Sequence, residues 1–114
     1  MQKSNELKEL EKIARGEQSV KKELLEIFIR QVSMKIEQMN SCLQNKDWKE
    51  LESLAHSMKS VFLHIKMIRP IELTELLRTT AGIDIKTTTQ QLNELATISS
   101  LLIDEFSREL KTAF

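Results

Sequence analysis

Along the second quarter of the chain, apolar residues recur at Leu25, Phe28, Val32, Ile36, Met39 and Leu43, stepping by three and four. That spacing predicts one long helix with a single buried stripe, widened by Leu24 and Ile27 enough to meet two neighbours. Ser19 is its expected N-cap, and Ile29 and Met34 fall off the stripe. The same period places Leu51, Leu54, Ala55, Met58, Val61, Phe62 and Ile65 on the inner side of a helix over residues 47 to about 66. Asp47 and Glu50 have the spacing of a capping box at its start. Ahead of these two, Leu7, Leu10, Ile13 and Ala14 share a face of a short helix that Ser4 or Asn5 can cap and Gly16 can stop. Behind them, Pro70 ends the third helix and suits the first turn of a fourth. The fourth has a narrower face of Ile71, Leu73, Leu76, Leu77 and Thr80, and Gly82 closes it. Residues 83–86 read as a loop, and residues 87–91 offer two overlapping caps. The last helix carries Leu92, Leu95, Ser99, Leu102, Ile103, Phe106 and Leu110.

Connections as short as residues 44–46 make successive helices antiparallel neighbours. The predicted architecture is therefore all-α: an up-down-up-down antiparallel four-helix bundle with a short extra N-terminal helix, forming one domain over residues 1–114. Composition agrees. Two glycines, one proline and no tyrosine in 114 residues favour helix, and 40% hydrophobic with 30% charged residues argues against disorder. The 17 basic and 17 acidic side chains cancel, and no basic stripe with interleaved aromatics marks a nucleic-acid interface. No apolar run approaches the ~18 residues of a membrane span, and the N-terminus is too charged for a signal peptide. With Cys42 the lone cysteine, an internal disulfide is impossible, so a cytoplasmic setting is expected and Cys42 reads as a partly buried helix residue.

His56 breaks the pattern of the third helix. At ~100° per residue it lies ~140° from Leu51, on the side expected to be wet. Glu52 is one turn before it, Lys59 and Ser60 one turn after, and Lys49 and Leu63 two turns away. A neutral imidazole on a rigid, open helix is a nucleophile near neutral pH and can accept a phosphoryl group. Lys59, at i+3, can offset a phosphoryl charge of roughly −2. Glu52 either orients the ring or is surface charge, and Lys49 is a solvated charge. His64 lies ~80° away around the helix and reads as a rim residue. Two histidines eight apart with Cys42 make no metal site, and Gly-rich phosphate loops, HExxH and CxxC are absent from the sequence.

The run Ala55-His56-Ser57-Met58-Lys59 resembles the Ala-His-x-Leu-Lys-Gly signature of histidine-containing phosphotransfer (HPt) domains, with Met58 in place of leucine. Ser60 and Lys66 stand where that family has glycines. The resemblance implies a phosphocarrier without its own ATP site, in which His56 is the phosphoacceptor and Lys59 stabilises the phosphate. The implied partner is a response-regulator receiver domain, which would supply Mg²⁺ and most catalytic groups. Glu52, Ser60 and Leu63 would form the docking surface, with Ile29 or Met34 extending it. The chain would act as a monomer, free-standing or within a hybrid sensor histidine kinase. The competing reading is a helical adaptor that binds receivers or other helical partners without carrying phosphate. A cofactor-binding bundle is disfavoured by the purely apolar inward faces.

Overall fold

Every regular element of the computed structural model, which describes residues 3–114, is a helix: α1 (Asn5–Ala14), α2 (Gln18–Asn45), α3 (Trp48–His64), α4 (Ile68–Thr80) and α5 (Ile85–Ala113). α2 packs on α3 and α5, α4 packs on α3 and α5, and α1 lies against α2. The described chain measures 45 × 23 × 21 Å. Its core is built from the anticipated stripes: Leu25, Phe28, Val32 and Met39 of α2, Leu51, Ala55, Met58 and Phe62 of α3, and Leu92, Leu95, Leu102 and Phe106 of α5 are all buried. Phe28 and Phe106 meet edge to face with centroids 6.1 Å apart. Cys42 is buried among them. Among the described residues no helix is long and apolar enough to cross a membrane.

The helix ends depart from expectation in instructive ways. Ser4 caps α1 by accepting from the Leu7 N–H. Ser19 caps nothing. α2 starts at Gln18, and the Glu17 carbonyl already accepts from Lys21 N. Asp47 caps α3 by accepting from Glu50 N at 3.3 Å, but the reciprocal half of a capping box is not needed. The Asp47 N–H donates to the Cys42 carbonyl at 2.9 Å, closing α2, so one residue ends one helix and starts the next. Asp84, rather than a threonine, caps α5, accepting from Thr87 N at 3.0 Å and from its hydroxyl at 2.7 Å. Residues 85 and 86 are therefore helical instead of loop. Gly82 (φ +80°) is required where it stands, because a Cβ there would sit 3.0 Å from the Trp48 indole.

α3 ends at His64, two residues earlier than the apolar pattern implied. Lys66 N–H donates to the Leu63 carbonyl and Met67 N–H to the Phe62 carbonyl, the paired bonds of a Schellman turn. This turn puts Lys66 at φ 56°, in the left-handed region that glycine favours. A side-chain residue pays about 1–2 kcal/mol to sit there. The lysine's contact with Glu9, 3.4 Å away and largely exposed, offsets little of it. We therefore expect Lys66→Gly to raise stability by about 0.5–1 kcal/mol in urea unfolding. Lys66→Ala, which keeps the strain and loses the ion pair, should show no gain.

Two apolar assignments also change. Ile13 is 42% exposed rather than facing inward with Leu10 and Ala14. α4 is rotated from its expected phase: Pro70, Leu73, Thr74 and Leu77 are buried, and Leu76 points outward.

Candidate functional site

α3 holds its inner residues fully buried, which fixes the helix in rotation and leaves His56 exposed on the opposite side. The imidazole stands between two depressions. On one side, α1, α2 and α3 frame a mainly apolar groove of about 690 Å³, walled by Ile13, Leu24, Ile27, Val61 and Leu63 with Lys35 and Ser60 at its edge. On the other, α3 and α4 frame a charged cleft of about 600 Å³, lined by Lys49, Glu52, Ser53, Glu75, Arg78 and Thr79.

Lys59 lies on the same helix as His56, as its i+3 position requires, but its ammonium is engaged. Nζ lies 2.6 Å from Glu75 Oε1 on α4. Arg78 approaches the same oxygen at 3.6 Å. The Lys59 ammonium holds the Glu75 carboxyl below the usual carboxylate range against the opposing pull of desolvation, with Arg78 and His56 adding to it. Across the groove, Lys35 Nζ of α2 donates to Ser57 Oγ at 2.9 Å, and that hydroxyl donates to the Leu54 carbonyl. Lys35 of α2, Lys59 of α3 and Arg78 of α4 thus line the two depressions that His56 borders.

The anticipated docking residues divide between the two depressions. Glu52 lines the charged cleft, while Ser60 and Leu63, the latter 51% exposed, line the apolar groove. Ile29 and Met34 do not extend the groove; α1 and the N-terminal half of α2 do, through Ile13, Leu24 and Ile27. His64 is exposed at the rim, and its Nδ1–H donates to the Ser60 carbonyl at 2.6 Å. Glu75, Arg78 and Lys35 were not anticipated. Each is an ordinary polar helix position in the sequence, and only the packing of α4 and α2 against α3 brings it to the histidine.

The family model of the Hpt domain matches residues 23–111, from within α2 to the last turns of α5. The chain belongs to the Hpt family. Hpt domains carry phosphoryl groups in two-component signalling and work with receiver domains. The matched span includes His56 and both walls of the charged cleft, and leaves α1 outside. No curated protein and no solved structure matches the chain.

Proposed function

We propose that this Hpt chain is a phosphorelay intermediate in which His56 takes a phosphoryl group from the aspartate of a receiver domain and passes it on. The observation that carries this reading is the exposure of His56 at mid-helix, with a lysine one turn on and open surface to either side. A receiver's aspartyl phosphate approaching from solvent reaches the ring without displacing any core residue. The unprotonated ring nitrogen attacks phosphorus as the aspartyl O–P bond breaks, and the carboxylate leaves with the bonding pair. The new N–P bond leaves an imidazolium, which gives its remaining N–H proton to water or keeps it until the reverse transfer. Mg²⁺ is the receiver's contribution; this chain supplies the nucleophile, its rigid placement and nearby cations.

In this reading α2 to α5 form an up-down-up-down antiparallel four-helix bundle in one domain, with α1 covering the end where α2 begins. The chain works in the cytoplasm as a monomer, free-standing or as part of a hybrid sensor kinase. Incubation with phosphorylated receivers should give acid-labile, alkali-stable label on the chain. Label that survives acid, or none with any receiver, would sink the proposal.

Receiver docking uses the apolar groove beside His56. Leu63 is its most open apolar wall, so a charge there should be felt at once. We expect Leu63→Asp to weaken receiver binding by more than about 1 kcal/mol, measured by calorimetry, with the melting temperature close to wild type. Unchanged affinity would move the docking surface elsewhere.

A further inference from the structure

The cation best placed to meet a phosphoryl group on His56 already has an anionic partner. Glu75 reaches from α4 to within 2.6 Å of Lys59 Nζ and 3.6 Å of Arg78 Nη1. Its Oε1 is shielded from solvent, with Lys59 the nearer of the two cations that approach it. The same carboxylate lines the cleft that His56 borders. It occupies the kind of position, between two cations and beside the ring, that a phosphoryl oxygen would take.

We propose that Glu75 is a stand-in anion: it holds Lys59 and Arg78 while His56 is free and competes with the phosphoryl group for them when His56 is loaded. This rests on His56 being the phosphoacceptor. Two negative groups cannot share these cations without cost, since like charges at such separations repel strongly where water is partly excluded. Lys59 must turn from Glu75 to the phosphoryl group, and Arg78 then remains with the carboxylate. A flexible ammonium suits that exchange better than a forked guanidinium. The arrangement keeps the cations ordered between transfers and makes the loaded histidine a readier donor. Glu75 is thus a positioning residue that acts through Lys59.

The test uses phosphoramidate, a small anionic donor that needs no protein partner. Its P–N bond breaks, ammonia leaves, and a His56 nitrogen forms the new N–P bond. Phosphorus NMR follows the initial rate. Glu75→Gln should label about 3- to 10-fold faster than wild type, because Lys59 is then free to meet the incoming phosphoryl group. Glu75→Asp, which keeps the charge, should restore the slower rate. In a Lys59→Ala background, Glu75→Gln should gain less than about twofold, the signature of two residues acting as one unit. If wild-type His56 is labelled but Glu75→Gln is no faster, or gains as much without Lys59, this inference is overturned and the phosphocarrier reading stands. If wild-type His56 takes no label, that reading fails and the inference falls with it.

Discussion

Replacing His56 with alanine should abolish phosphoryl uptake from a phosphorylated receiver, while the unfolding free energy moves by less than about 0.5 kcal/mol. Both halves follow from where the ring sits. It is exposed, and the buried residues of α3 hold the helix in place whether or not an imidazole is present. His64 is the poorer site by position: it borders the apolar groove alone, whereas His56 also borders the charged cleft that holds Glu75 and Arg78. His64→Ala should therefore label like wild type. Acid-labile label retained in His56→Ala and lost in His64→Ala would reverse the assignment. Equal labelling of both variants would place the phosphoryl group on neither.

The parts of the chain that could be read in advance are those governed by one helix at a time. The stripes of α2, α3 and α5 are wide and regular, so their buried residues followed from periodicity, and so did the exposure of His56 opposite Leu51. What misled were polar groups satisfied in ways that a sequence hides. Thr74 is fully buried because its hydroxyl donates to the Ile71 carbonyl at 2.7 Å. That burial turns α4, exposes Leu76 and brings Glu75 towards Lys59. Asp84 started α5 a turn early because Ile85, 51% exposed, adds nothing to the apolar pattern there. Glu75, Arg78 and Lys35 depend on how neighbouring helices are rotated about their axes, and no spacing within one helix encodes that.

The largest stability loss should come from a residue whose charge concealed its burial. Lys21 is 5% exposed, and its ammonium contacts Glu11 of α1 at 2.9 Å and Glu109 of α5, with the Phe114 ring 5.9 Å away. It fastens three helices at the end of the molecule where α2 begins. Burial alone would lower the Lys21 pKa, but hydrogen bonds to Glu109 and Glu11 outweigh it and hold the group above 10.5. Burial likewise works to raise the Glu11 pKa, and Lys3 and Lys21 together hold it below 4.5. Lys21→Met keeps the apolar stem but removes the ammonium that joins Glu11 to Glu109, leaving Lys3 as the cation on Glu11. Breaking a buried pair this way costs several kcal/mol; because both carboxylates keep some contact with water, we expect about 2–3 kcal/mol at pH 7. For a chain of this length that is roughly an 8–12 °C fall in melting temperature. The pH dependence separates charge from packing. A carboxylate whose folded pKa is depressed stabilises above its unfolded pKa, and that contribution fades as pH falls through the folded value. Wild type should thus lose stability as pH falls through the depressed Glu11 value, whereas the variant, which lacks the Lys21 ammonium that helps to depress it, loses less. The gap between the two melting temperatures should narrow markedly at pH 3. A gap as wide at pH 3 as at pH 7 would mean that Lys21 acts through its hydrocarbon stem, and that the ion pairs contribute little.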